Sequence, residues 1–164
     1  MTTDEKSCEI LMGHIEAGLQ VLARIEAHLD SFMEGDGKTM GRTPVSAVVV
    51  ADALSRYYTA AETLFFRVAR VFENSVEGNR WHAELLDRMG MEIPGIRPAV
   101  LSAATQSALR DLMRFRHFSR YYVELEYDWD RLDFLLGKFQ GLRPALRDDL
   151  HRFRALLADA TKAE

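Results

Sequence analysis

A regular series of apolar residues at the start of the chain is the feature that most constrains its fold. Over residues 4–33, apolar side chains recur at steps of three and four: Cys8, Leu11, Ile15, Leu19, Leu22, Ile25, Leu29 and Phe32. This spacing places them on one face of an α-helix. A helix of about 30 residues is typical of a bundle strut, so we expect a partner helix along its length, in the same chain or in a second one.

The next two segments are predicted from glycine, proline and the apolar pattern. Residues 35–42 contain three glycines and predict a flexible loop that lacks the features of a P-loop. Thr43 and Pro44 then form a good helix start, a cap followed by proline in the first turn. The apolar stripe that follows continues to about Phe72. It is wide enough to be buried from two sides, which predicts a helix at the centre of the bundle.

Three further patterns predict the rest of the chain. Residues 81–89 predict a short helix that a glycine ends. Pro98 is predicted to begin the next helix, with a break near Ser102 as an alternative. Asp128 is a good cap for the last helix, which Pro144 should kink or split.

The chain has the length of one domain, at 164 residues, and can bury a sizeable core without disulfides. No stretch alternates apolar and polar residues convincingly with a period of two. We therefore predict an all-α fold: a four- to five-helix up-down bundle formed by residues 1–164 as a single domain. The net charge of -4 argues against a general nucleic-acid coat protein but does not exclude a local basic site.

Neither a membrane span nor a metal site is indicated. The apolar segment at residues 45–54 is short and is interrupted by Asp52, and nothing resembles a signal peptide. We therefore expect a soluble, cytoplasmic protein that does not bind membranes. Cys8 is the only cysteine and the histidines lack the spacing of a zinc motif, so we expect no metal and no other cofactor.

Residues 109–130 concentrate the groups that can bind or turn over a phosphodiester. The cationic and aromatic ones fall close together: Arg114, Arg116, His117, Arg120, Tyr121 and Tyr122. Helical residues three or four apart share a face, so Arg116 and Arg120 lie one turn apart and can grip one phosphate. His117 and Tyr121 form the neighbouring pair, where either side chain could transfer a proton.

A second interpretation of the same segment stays open. Four acidic residues follow the arginines, and they could neutralise them as a salt-bridged helix face: Glu124, Glu126, Asp128 and Asp130. The aromatic residues at positions 115, 118 and 122 would then belong to the core instead of stacking on bases. From the residues alone, this salt-bridged face is the favoured interpretation.

At these positions the sequence resembles the HepT-like group of HEPN-domain proteins. The signature of that group is an arginine, a polar residue, three variable positions and a histidine. Arg116 and His117 match the first two positions, and residues 118–120 fill the variable ones. The wider similarity extends over residues 44–140 and includes the strings ETLFFRVARVFENS and WHAELLDRMGMEIPGIRPAVLS. The resemblance implies a HEPN-like bundle that forms homodimers and is paired with a minimal nucleotidyltransferase in a toxin–antitoxin system.

The resemblance also implies a metal-independent endoribonuclease whose site lies in a groove between two protomers. By this likeness Arg116 holds the scissile phosphate, and His117 or Tyr121 transfers protons. The groups expected to bind RNA or a nucleotide are Arg114, Arg120 and Tyr122. However, Tyr121 occupies the position of the signature histidine. A tyrosine is almost wholly protonated at neutral pH and is a poor general base, which argues for weak or absent activity.

Three functional hypotheses therefore follow. The first is a HepT-like endoribonuclease of a toxin–antitoxin-type pair. The second is a catalytically inactive subunit that binds a nucleotide or substrate for a nucleotidyltransferase partner. The third is an interaction protein whose arginine face is an acid-neutralised dimer contact. The first fits the commonest role of the family, and the other two fit Tyr121 better.

Overall fold

The computed structural model describes residues 5–73, 81–121 and 126–162, and their regular secondary structure is helical apart from one isolated β-bridge between Ile93 and Arg97. The helices are α1 (Glu5–Glu34), α2 (Asp36–Met40), α3 (Pro44–Phe72), α4 (Trp81–Met89), α5 (Ala103–Tyr121) and α6 (Trp129–Ala160). The predicted all-α class is confirmed. Within these ranges, none of the helices combines the length and the apolar character that crossing a membrane requires.

The four long helices, α1, α3, α5 and α6, form an up-down bundle. His14 of α1 contacts Arg67 of α3, whereas Glu26, later in α1, contacts Tyr57, earlier in α3. These two helices are therefore antiparallel. The same reversal relates α3 to α5, α5 to α6, and α6 to α1. α3 and α6 run in the same direction across the diagonal, as their aromatic contacts show, and the predicted up-down bundle is confirmed.

α3 is the central helix. About half of its 29 residues are buried, whereas α1 buries six of 30. Its start follows the predicted signals, because the Thr43 side chain accepts the Ser46 N–H and Pro44 occupies the first turn. The predicted central position of this wide apolar stripe is confirmed.

Residues 36–40 form the short helix α2, so the prediction of a flexible loop over residues 35–42 is wrong. The Gly35 carbonyl accepts hydrogen bonds from the N–H groups of Lys38 and Thr39. The turn stops at Gly41, whose φ of 68° lies in the left-handed region that favours glycine. Glycine content alone therefore gave the wrong prediction, because backbone hydrogen bonds within the segment hold it as a short helix.

α5 begins at Ala103, so the predicted start at Pro98 is wrong and the alternative break near Ser102 is confirmed. The N–H groups of Val100 and Leu101 donate to the Met89 carbonyl at the end of α4, which holds this part of the chain out of the helix. Ser102 then caps α5, since its Oγ accepts the Thr105 N–H at 3.3 Å.

α6 continues through Pro144, so the alternative of a split helix is wrong. Proline removes the hydrogen bond to the carbonyl four residues earlier, that of Gln140. Both Gln140 and Pro144 are exposed, so water can solvate that carbonyl. The start of α6 is as predicted, because the Asp128 side chain accepts the Asp130 N–H at 2.9 Å.

Arg97 fixes the connection between α4 and α5. Its side chain is fully buried and donates to Glu73, the residue after α3, at 3.0 Å and 2.5 Å. It also donates to the backbone carbonyls of Arg88 and Met91. One guanidinium thereby joins the end of α3, the end of α4 and the loop that leads to α5, which sets the position of α4.

We predict opposite effects for alanine at two glycines of α1. A Cβ atom at Gly18 would lie 2.4 Å from the Leu64 side chain of α3, whereas one at Gly13 meets nothing within 4 Å. Gly18→Ala should therefore lower the free energy of unfolding by about 1–3 kcal/mol through overpacking. Gly13→Ala should raise it by about 0.5–1 kcal/mol through helix propensity. Urea denaturation measures both; equal effects of the two variants would contradict the packing of α1 on α3.

Candidate functional site

A cavity of about 550 Å³ opens between α4 and α5. Four of the residues predicted to bind or cleave a phosphodiester line it together: Arg114, Arg116, His117 and Arg120. The other described lining residues are Ala83 and His82 of α4, and Met113 and Phe118 of α5. The volume is within the usual range for small-molecule sites.

A stripe of side chains along α5 runs from the core to this cavity. Leu109 is fully buried and Met113 is partly buried against the core. One turn later, the Arg116 side chain is 15% exposed, and Arg120 after it is exposed. Helical spacing of three and four residues therefore carries the stripe out of the core and presents its two arginines to the cavity.

The Arg116 guanidinium is held by groups from α3. Its Nη1 donates to Glu62 Oε1 at 3.2 Å, and its central carbon lies 5.6 Å from the centre of the Tyr58 ring. The Glu62 side chain is only 7% exposed, so little water screens this ion pair. Arg116 is thus fixed in place, with part of its surface left for the cavity.

His82 contacts the other oxygen of the same carboxylate. Its Nδ1 lies 2.6 Å from Glu62 Oε2. A carboxylate only accepts hydrogen bonds, so Nδ1 must carry the proton. The His82 side chain is 35% exposed and lines the cavity. Tyr58, Glu62, His82 and Arg116 are called the Glu62 cluster below.

Tyr58 contributes to this cluster as a neutral group. Burial, and then the negative charge of Glu62, raise the pKa of its hydroxyl well above the ordinary value, against the opposing effect of Arg116. Tyr58 therefore keeps its proton at physiological pH and cannot serve there as a base. Its ring provides an aromatic face against the Arg116 guanidinium.

The tyrosines predicted as site residues are not part of the described cavity lining. Tyr121 is 73% exposed, and its ring centre lies 5.0 Å from that of His117, as expected for residues one turn apart. The described lining of the cavity includes His117 but not Tyr121. Tyr122, the remaining predicted binding residue, lies outside the described residues, as does Glu124 of the acidic run.

Among the described residues of the acidic run, none forms the ion pair with Arg116. Within the described ranges the acid that pairs with it is Glu62 of α3, and Asp128 serves as the cap of α6. Neither Glu62 nor His82 was among the residues predicted for the site. A signal for Glu62 was present, because it follows Tyr58 by one turn on a helix predicted to be buried from two sides. A carboxylate at such a position requires a partner from another helix.

The arrangement can bind an anion and exchange protons. Three arginines present donors suited to phosphate oxygens, and two imidazoles supply nitrogens that can accept or donate a proton. The described residues hold no group of three or more histidine, cysteine or acidic side chains placed to bind a metal ion.

Comparison with protein families matches the chain to a known family. The model of a family described as HepT-like protein matches residues 49–157, well over half of the chain. Neither the curated proteins nor the solved structures contain a match. The matched range begins within α3 and ends within α6, so it includes both the cavity and the Glu62 cluster.

We predict that Glu62 is required for stability as well as for the geometry of Arg116. Glu62→Ala leaves the Arg116 guanidinium mostly buried without this carboxylate, which should lower the free energy of unfolding by about 3 kcal/mol. Asp52→Ala is the matched control on α3, because it breaks an exposed pair with Arg56 at 2.6 Å. Chemical denaturation should show a far smaller effect for the control; equal losses would contradict this role of Glu62.

Proposed function

Because the chain belongs to the HepT-like family, we propose that it is the HepT-like member of a toxin–antitoxin-type pair and binds and cleaves RNA in the cavity between α4 and α5. The cleavage is that of a metal-independent endoribonuclease. The partner is a minimal nucleotidyltransferase-type protein, and both act in the cytoplasm. One observation carries this proposal: three arginines and His117 line the same cavity.

The arginines supply the affinity for the RNA backbone. Arg116, held by Glu62, contacts the scissile phosphate and stabilises the charge that grows on its oxygens during cleavage. Arg114 and Arg120 are exposed at the cavity and bind neighbouring phosphates. Fixed cations of this kind provide the electrostatic stabilisation that phosphodiester cleavage requires. An arginine never loses its proton in a protein, so the proton transfer needs another group. His117 and Tyr121 are the predicted ones, and the described lining of the cavity includes His117.

The proposed active form is a homodimer, as the family resemblance implies. The exposed end of α5 supports it: Phe118 is 37% exposed and Tyr121 is 73% exposed, and both lie beside the exposed cations of the cavity. Two copies joined there would form one longer basic groove. Sedimentation that shows a stable monomer at micromolar concentration would contradict this part of the proposal.

A second candidate function is a catalytically inactive subunit that binds a nucleotide or substrate for the nucleotidyltransferase partner. The position of Tyr121 favours it. This residue occupies the place of the signature histidine, and its side chain projects to solvent beside His117. The cavity would keep its phosphate-binding arginines in this case. The third hypothesis is an interaction protein whose arginine face is an acid-neutralised dimer contact. It is less favoured, because Glu62 of the same chain already neutralises Arg116.

An RNase assay with EDTA tests the proposal. We expect wild-type protein to cleave RNA and Arg116→Ala to lose cleavage, because the scissile phosphate then lacks its fixed cation. A thermal melt of each variant separates loss of the site from loss of the fold. Arg56→Ala, which removes an exposed arginine of α3 outside the cavity, should cleave like the wild type.

RNA binding separates the two candidate functions. With a non-cleavable 2′-O-methyl RNA, Arg114→Ala and Arg120→Ala should each weaken binding and reduce the slope of log affinity against log salt by about 0.7. Saturable binding by a wild type that does not cleave would select the inactive subunit. A wild type that neither binds nor cleaves RNA would contradict the first candidate.

A further inference from the structure

The contact between a carboxylate and an imidazole in the cavity wall has no role in the function proposed above. Glu62 accepts a hydrogen bond from the Nδ1–H group of His82, with 2.6 Å between Nδ1 and Oε2, and His82 lines the same cavity as Arg116 and His117. A carboxylate in this position fixes the orientation and the tautomer of the ring. It also stabilises the imidazolium that forms when the ring accepts a second proton. This is the arrangement of a general base that is held in place.

We propose that His82 takes the proton from the ribose 2′-hydroxyl of a bound RNA and that His117 gives a proton to the leaving 5′-oxygen. The inference rests on the proposed endoribonuclease function and names the acid and the base of that same site. His82 of α4 then supplies the imidazole that the tyrosine at position 121 does not. The chain needs no histidine at position 121 for the reaction.

The proposed step balances in atoms and charge. The 2′-O–H bond breaks as the 2′-oxygen forms a bond to phosphorus, and the proton moves to Nε2 of His82. The bond between phosphorus and the 5′-oxygen breaks, and this oxygen takes a proton from the imidazolium of His117. The products are a 2′,3′-cyclic phosphate and a free 5′-hydroxyl. Proton exchange with water returns both histidines to their starting states.

The two histidines lie on helices that are firmly joined. The Gln106 side chain of α5 donates to the Leu86 carbonyl of α4 at 3.0 Å. Arg110 of α5 forms an ion pair with Asp87 of α4 at 2.5 Å. These contacts hold α4 against α5, so the two helices that carry the imidazoles keep one relative position.

Glu62 also joins the proposed base, His82, to the proposed phosphate-binding residue, Arg116. One of its oxygens holds His82 and the other holds Arg116. Each of these two groups is thereby placed by the same buried carboxylate of α3. Such support by a neighbouring group is what a pre-organised catalytic site requires. Glu62 is a positioning residue in this scheme, since it acts through His82 and Arg116.

Two substrates distinguish the proposed base from the proposed acid. One is the dinucleotide uridylyl-(3′→5′)-adenosine, whose leaving oxygen needs a proton. The other is uridine 3′-(4-nitrophenyl phosphate), whose leaving group does not. His82→Gln should lower kcat at least about 100-fold on both substrates, with KM little changed. His117→Gln should lower kcat strongly on the dinucleotide only.

The choice of glutamine and a second histidine variant serve as controls in this experiment. Glutamine at position 82 can still donate a hydrogen bond to Glu62, so the helix contact is retained. His14→Gln is the matched control, because His14 also contacts an arginine, Arg67 at 3.0 Å, but on α1 and α3. It should keep the wild-type rate on both substrates. A wild-type rate for His82→Gln, or a rise in KM alone, would overturn the role of His82 and leave the endoribonuclease function standing.

A measurement on the wild type keeps the test independent of variant folding. Diethylpyrocarbonate modifies exposed imidazoles, and mass spectrometry locates the product. Uridine 2′,3′-cyclic phosphate should slow the modification of His82 and His117 and leave that of His151, exposed on α6, unchanged. Equal reactivity of His82 with and without the nucleotide would overturn the inference. A wild type that cleaves neither substrate would overturn both the inference and the proposed function.

Discussion

A single buried carboxylate, that of Glu62, determines the geometry of the candidate site. One oxygen accepts from Arg116 of α5 and the other from His82 of α4, so three helices meet at one side chain that is 7% exposed. Taking an ion pair out of water costs free energy, and leaving one partner behind costs more. Such a pair contributes little net stability, but it fixes where its members lie. The Glu62 cluster therefore places the proposed phosphate-binding residue, Arg116, and the proposed base, His82, in the wall of one cavity.

The sequence predicts much of the fold, because helical periodicity and caps are local signals. The stripes of α1 and α3, the cap at Thr43 and the cap at Asp128 all depend on residues a few positions apart. The start of α5 depends instead on contacts across the fold. Backbone N–H groups before it bond to the Met89 carbonyl. Proline content near position 98 carries no information about that contact, so the predicted start came too early.

The candidate site also has residues that local sequence predicts and residues that depend on how the helices pack. Arg114, Arg116, His117 and Arg120 are close in sequence, and the period of a helix is enough to predict that they share one region. Glu62 precedes Arg116 by 54 residues and His82 by 20, so their contacts depend on how three helices pack. The family signature likewise covers only residues that are close in sequence. It records the substitution at Tyr121 but not an imidazole carried by another helix.

The proposed binding of RNA in the cavity between α4 and α5 can be followed at the five histidines of the chain. NMR spectra of the imidazole rings, recorded while a non-cleavable 2′-O-methyl RNA is added, follow each histidine separately. Binding in this cavity should give saturable shifts for His82 and His117, and unchanged signals for the three histidines outside it: His14, His28 and His151. Unchanged signals for His82 and His117, or shifts confined to the other three, would contradict it.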